Sequence, residues 1–301
     1  MFKLLAALAA SALVVLGLPS PASAIAYGEN ARDGAYRFSV LLTMTGLPTP
    51  DRGTRDSSCS GALIAPTWVV TAGHCFRDAE GRKVSRTVAE RTTATIGRTK
   101  VKGTGGHVLE VISVKQSETT DVALAELAEP VTGITPLRVA TYPPSRGESL
   151  RLTGFGLTAD QKPAQRMQTG RFTVDAVGDS LLETSGVAPQ NDTSPCPHDS
   201  GGPYFRTTDA GPELVAVVSG GPGCPHTGPD FSARTDNISD WITATTSGSR
   251  SYQWWPAAVA AVGVGAVGLL VWAYRRTRAD SGRRSGLGRR AYGDGAARLG
   301  R

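Results

Sequence analysis

The 301-residue sequence has no internal repeat, no short paired spacing of cysteines and, away from its ends, no excess of one charge. Without a repeat there is no unit from which a stacked array could be built. Without C-x2-C-type pairs the four cysteines make a poor zinc site, and no metal or other cofactor is expected. The formal charge of +6 belongs to the ends: nine arginines against two aspartates lie in residues 275–301, and Lys3 stands near the start. The remainder is slightly acidic, so no nucleic-acid partner is expected. Charged residues are scarce at 19% and hydrophobic ones reach 40%, a balance that predicts a packed core rather than wholesale disorder.

The ends hold the targeting signals. Met1-Phe2-Lys3 is a short basic start, residues 4–18 are uncharged and apolar, and Ala22-Ser23-Ala24 supplies the small residues of an A-x-A cleavage site. Residues 1–24 therefore read as a secretory signal peptide. Residues 254–274 are a run of 21 uncharged residues; as a helix they would extend about 31 Å, the thickness of a hydrocarbon core. Trp254, Trp255, Trp272 and Tyr274 stand at its edges, and Arg275, Arg276 and Arg278 follow at once. That order places a basic tail, 275–301, in the cytoplasm. The expectation is a single-pass protein of the cell membrane with its main domain, 25–245, outside and a polar linker over 246–253. Gly263-Val264-Gly265-Ala266-Val267-Gly268 matches a dinucleotide-binding pattern, but it lies inside the apolar run and not between a strand and a helix. All four cysteines fall in the exported part, which fits an oxidising compartment and two disulfides.

Between the ends, short apolar runs at 38–42, 62–64, 68–70 and 214–218 are separated by Gly, Pro, Asp and Asn. This predicts an all-β fold of sandwich or barrel type, with 238–242 in a closing helix. Three segments can carry chemistry: Thr71-Ala72-Gly73-His74-Cys75, Thr120-Asp121-Val122-Ala123-Leu124 and Cys196-Pro197-His198-Asp199-Ser200-Gly201-Gly202-Pro203. Each alone has an ordinary reading as a core histidine, a strand-end charge or a turn. Together they offer a hydroxyl nucleophile, a base to take its proton and a carboxylate to orient the base.

These segments resemble the trypsin/chymotrypsin family of serine proteases, and the ends suggest a membrane-anchored, bacterial-type member. Ile25-Ala26-Tyr27-Gly28, Cys59-Ser60-Gly61, Gly154-Phe155-Gly156, Ser219-Gly220-Gly221 and Trp241-Ile242 support the resemblance, which covers nearly all of 25–245. It implies two six-stranded antiparallel β-barrels with a C-terminal helix, here followed by a single transmembrane helix. It also implies a serine endopeptidase that cleaves extracytoplasmic proteins or peptides through Ser200, His74 and Asp121. The backbone N–H groups of His198 and Ser200 would form the oxyanion hole. Ser219 would support Asp121, and the 219–221 segment, with Gly221, would pair with the substrate backbone. Disulfides Cys59–Cys75 and Cys196–Cys224 are implied, the first closing a loop of 16 residues. Cleavage after Ala24 would expose Ile25, whose ammonium would pair with Asp199, so that export itself activates the enzyme. Protein inhibitors are further partners of such a site.

Two positions depart from the family. His198 stands where the family has glycine, which raises the alternative of a catalytically weak or inactive protease-fold binding module. Ser194 stands where trypsin-like members carry the aspartate of the primary pocket, while Asp230 stands on the opposite pocket wall in place of glycine. The expectation is a basic or mixed preference for the residue before the scissile bond (P1), unless Asp230 fills the pocket or pairs with Arg234. His107 and His226 read as surface or core histidines.

Overall fold

The computed structural model describes residues 25–248 and Trp272. The readings of 1–24 as a signal peptide, of 254–274 as a membrane span and of 275–301 as a cytoplasmic tail fall outside the described residues. Among those described, no helix is long and apolar enough to cross a membrane.

A short strand β1 (Glu29–Asn30) precedes the first barrel. Six strands follow: β2 (Ser39–Pro48), β3 (Thr54–Ala65), β4 (Trp68–Ala72), β5 (Arg91–Ile96), β6 (His107–Gln116) and β7 (Val122–Leu127). They close in the order β2-β3-β4-β7-β6-β5. Alternation drives the closure: β5 buries Thr92, Ala94 and Ile96 and turns Arg91, Thr93 and Thr95 outward. β4 is buried along its whole length, as its continuous Trp-Val-Val run requires.

The second barrel is built from β9 (Ser149–Gly154), β10 (Gln168–Val177), β11 (Leu181–Ala188), β12 (Pro203–Thr208), β13 (Gly211–Gly220) and β14 (Asp230–Arg234). Its ring runs β10-β11-β14-β13-β12-β9 and closes through β9–β10 pairing. β1 adds to the edge of β10, and β8 (Arg138–Val139) lies parallel to β13. The apolar run of β13 serves two cores. Leu214 and Val217 pack with the first barrel's residues, and Val215 and Val218 with Ile25, Leu152 and Phe172 inside the second. The seam between barrels also holds a T-shaped Phe38–Phe205 contact at 5.3 Å and a 2.7 Å hydrogen bond between the Ser39 and Thr153 hydroxyls.

The closing helix α1 spans Ser239–Ser247 after a 3-10 turn at Asp236–Ile238. Ile238, Trp241 and Ile242 dock on the core shared with the first barrel. The helix runs two residues past the expected domain end at 245 and into the expected linker. In this last turn the Thr246 hydroxyl donates back to the Ile242 carbonyl at 2.9 Å.

Candidate active site

The histidine and the first aspartate come from the same corner of the first barrel. β4 pairs with β7 so that Ala72 lies opposite Val122. The residues that follow β4 and precede β7, His74 and Asp121, are thereby neighbours although 47 positions apart. His74 sits in a 3-10 turn, Gly73–Phe76. Its Nδ1–H donates to Asp121 Oδ2 at 2.6 Å, and its backbone N–H donates to Asp121 Oδ1 at 2.8 Å. The Ser219 hydroxyl donates to the same Oδ2 at 2.7 Å. Burial alone would push the Asp121 carboxyl up. The hydrogen bonds and charge of His74, with the Ser219 bond, outweigh it and hold the carboxyl below its ordinary value. The Cys59–Cys75 disulfide fixes this turn, and a loop of that size is worth about 3 kcal/mol in the chain-entropy view.

Ser200 comes from the second barrel, on the turn that leads into β12. Its hydroxyl donates to His74 Nε2 at 2.8 Å, completing the chain Ser200–His74–Asp121. The turn is locked across the seam: Ser60 N–H of β3 donates to the Ser200 carbonyl at 2.9 Å. Gly201 follows with φ +80°, and a Cβ there would lie 2.1 Å from Thr71 Oγ1 and 2.5 Å from the Ser60 carbonyl. Only glycine lets the turn that carries Ser200 approach β3 and β4 this closely.

Asp199 is fully buried. Its carboxylate accepts the N–H groups of Gly156 at 2.8 Å and Cys196 at 3.0 Å. The Gly154-Phe155-Gly156 motif makes room for it, since Cβ atoms at the two glycines would sit 2.0 Å and 2.6 Å from its carboxyl atoms. Burial pushes this carboxyl up to about 7, against the two backbone bonds. Ile25 lies at 0% exposure in the second barrel's core, and Ala26 N–H donates to the Ser194 carbonyl at 2.9 Å. The chain at Ile25 and Ala26 thus lies inside the second barrel. An ammonium at Ile25 exists only in a chain cut after Ala24.

His198 adopts φ +75°, the left-handed conformation that glycine would take freely. Two contacts hold it there. Its Nδ1–H donates to the Ser58 carbonyl at 2.8 Å, and its own carbonyl accepts the Ser60 hydroxyl at 3.2 Å. The same Ser60 hydroxyl accepts the Phe155 N–H at 2.9 Å. Among the described residues, the N–H groups of His198 and Ser200 donate to no protein acceptor.

Beside Ser200 opens a cavity of about 190 Å³, walled by Val218, Ser219, Gly220 and Gly221 on one side and by the Cys196–Cys224 disulfide on the other. Asp230 lines it and is 2% exposed. Ser194 does not line it: its backbone pairs with Ala26, and its hydroxyl accepts the His226 N–H at 3.2 Å. Arg234 is engaged by Asp236 at 2.6 Å and not by Asp230. The residue that does reach Asp230 is His226, with Nε2 3.3 Å from Oδ1. Burial, reinforced by the charge of Asp199, pushes the Asp230 carboxyl up to about 8, while burial pushes His226 down. Both groups lean toward their neutral forms. Nothing in the sequence spacing announces His226, because its place depends on the path of the loop between Cys224 and β14.

The arrangement can be set beside known proteins. The trypsin family model matches residues 25–242. Trypsin 5G1 of Aedes aegypti is 30% identical over 211 residues, which cover 61% of this chain and 73% of that protein. Ovochymase of Halocynthia roretzi is 24% identical over 248 residues, 75% of this chain but only 15% of ovochymase. Serine protease 56 of Mus musculus is 26% identical over 256 residues, 74% of this chain and 39% of its own length. These relatives do not bear on the expectation of a bacterial, membrane-anchored member. The fold, the disulfide pairing and the match across 25–242 agree, and the chain belongs to the trypsin family of serine endopeptidases.

Proposed function

We propose that the domain hydrolyses peptide bonds of extracytoplasmic proteins with Ser200 as nucleophile, His74 as general base and acid, and Asp121 as the group that orients it. The observation that carries this reading is the continuous hydrogen-bond chain from Ser200 Oγ through both His74 nitrogens to Asp121. Ser200 Oγ attacks the scissile carbonyl while its proton passes to His74 Nε2. The resulting oxyanion is met by the N–H groups of His198 and Ser200. His74 then protonates the departing amine, leaving an acyl-enzyme, and activates the water that releases it. Asp121, already ionised, stabilises the imidazolium formed in between. The left-handed backbone of His198 supports a working hole, because its cost is offset by the Ser58 and Ser60 contacts rather than by a flipped peptide.

In the same reading, residues 1–24 direct export, cleavage after Ala24 supplies the Ile25 ammonium to Asp199, and residues 254–274 anchor the domain to the membrane. The carboxylate of Asp230 in the cavity beside Ser200 favours Arg or Lys at P1. Peptides that differ only at P1, as Arg, Lys, Phe or Ala, test the assignment. Cleavage after Arg or Lys at least tenfold faster is expected. Equal or slower cleavage after the basic residues would remove Asp230 from the recognition of substrate, and no cleavage of any peptide would remove the peptidase reading.

A further inference from the structure

A second, larger cavity of about 510 Å³ opens on the other side of Ser200. Its walls are the β2–β3 hairpin, the Cys59–Cys75 disulfide and residues 197–198. Both His74 and Ser200 border it, whereas His74 does not border the cavity that holds Asp230. The distinction sets the direction of a bound substrate. The departing amine must lie within reach of His74 Nε2, because that nitrogen gives it a proton. The chain that leaves with the amine therefore runs into the larger cavity.

The charges of this cavity are one-sided. Arg55 and Arg77 both line it. Among the described residues, neither guanidinium makes an ion pair or a hydrogen bond. The carboxylate that also lines it, Asp78, is taken: Arg82 Nε donates to its Oδ2 at 2.8 Å, and Arg82 N–H donates to its Oδ1 at 2.8 Å. His198 also lines it, with Nδ1–H committed to the Ser58 carbonyl. Two planar forks suited to carboxylates thus stand unpaired along the path of the leaving chain.

Resting on the peptidase reading above, we infer that Arg55 and Arg77 form a subsite for acidic side chains within the first few residues after the scissile bond. The enzyme's substrate class is then a polarised segment, basic or neutral before the cut and acidic after it. Each arginine is exposed, so its contribution is modest, about twofold to fivefold per pair, and is weakened by salt.

The test uses the full chain and peptides with one common sequence before the scissile bond. The three residues after it are varied singly to Glu, Ala or Lys. The quantity read is the Glu-to-Lys ratio of kcat/KM, which cancels any general loss of activity in a variant. A ratio of about tenfold at the best position is expected at low ionic strength, shrinking in ~0.5 M salt. Arg55→Gln and Arg77→Gln should each reduce it, and the double variant should bring it close to one. A ratio of one or below in the unaltered protein, or one retained in the double variant, overturns the inference while leaving peptidase activity intact. Absence of cleavage for every peptide overturns the peptidase reading itself, and this inference with it.

Discussion

The two barrels contribute carboxylates to the site in opposite condition. In the first barrel, Asp121 has a full set of partners: the backbone N–H and Nδ1–H of His74 and, from across the cleft, the hydroxyl of Ser219. Those bonds overcome burial and keep it charged. In the second barrel, Asp199 and Asp230 are buried with too little compensation, and their carboxyls are pushed up to about 7 and about 8. Burying a charge without a charged partner is unfavourable, and the group retains its proton instead. The difference teaches where the site is complete. The half built around β4 and β7 is finished by folding alone. The half built around the Ser200 turn leaves Asp199 with backbone N–H partners alone, and Asp230 with His226, which itself leans toward its neutral form. On the proposed reading the Ile25 ammonium and a basic substrate side chain supply the missing positive charge.

The largest effect should come from breaking the finished half. Asp121→Asn preserves shape but removes the charge that fixes the His74 tautomer, and kcat should fall by about 10⁴ with a smaller change in KM. A loss below about tenfold would mean that Asp121 does not orient the base.

The second comparison concerns Asp199 and the state of the amino terminus. In a chain that retains residues before Ile25, the raised carboxyl of Asp199 binds its proton more tightly when folded than when unfolded. Its contribution to stability is therefore present below about pH 4 and is lost as pH rises toward about 7. In a chain that begins at Ile25, an ammonium beside the carboxylate removes this loss, and stability should hold until the amine itself deprotonates, above its reference range of about 7.7–8.0. Thermal unfolding of the two forms between pH 4 and 9 checks this. Parallel curves would show that Ile25 and Asp199 do not pair.

A smaller effect is expected at Asp230. Only its ionised form attracts a cationic P1 residue, so the preference for Arg over Ala should climb with pH, pass its midpoint near pH 8 and level off only well above it. Using the ratio of two substrates cancels every pH effect that both share. Asp230→Asn should flatten this profile and lower the Arg preference by at least about tenfold. A profile unchanged by that substitution would assign the preference to another group.

The same contrast explains what the sequence makes legible. The continuous apolar runs of β4 and β13 are readable because both strands are buried on either side, and three short motifs single out His74, Asp121 and Ser200, which the fold brings into one hydrogen-bonded chain. The glycines of Gly154-Phe155-Gly156 were readable as a motif, yet their purpose, to admit the Asp199 carboxylate, appears only in three dimensions. More polar strands, such as β6 and the outer part of β3 at 54–58, escaped detection because barrel curvature exposes much of their length. The pocket floor was the least legible. The resemblance assigns Ser194 and Asp230 to opposite pocket walls, but which of them reaches the cavity depends on the loop that carries His226 and on the backbone of Ala26 that pairs with Ser194.

The measurement that bears most directly on the contrast between the two halves is the rate of fluorophosphonate labelling of Ser200 in two forms, one beginning at Ile25 and one carrying a short extension before it, each beside its Ser200→Ala control. The expected result is rapid labelling of the Ile25 form, no labelling of the controls, and labelling of the extended form slower by about 10²–10³, the loss that follows when an oxyanion-hole donor depends on the Ile25–Asp199 pair for its position. Equal rates in the two forms would contradict the claim that the nucleophile's half is completed by the new terminus.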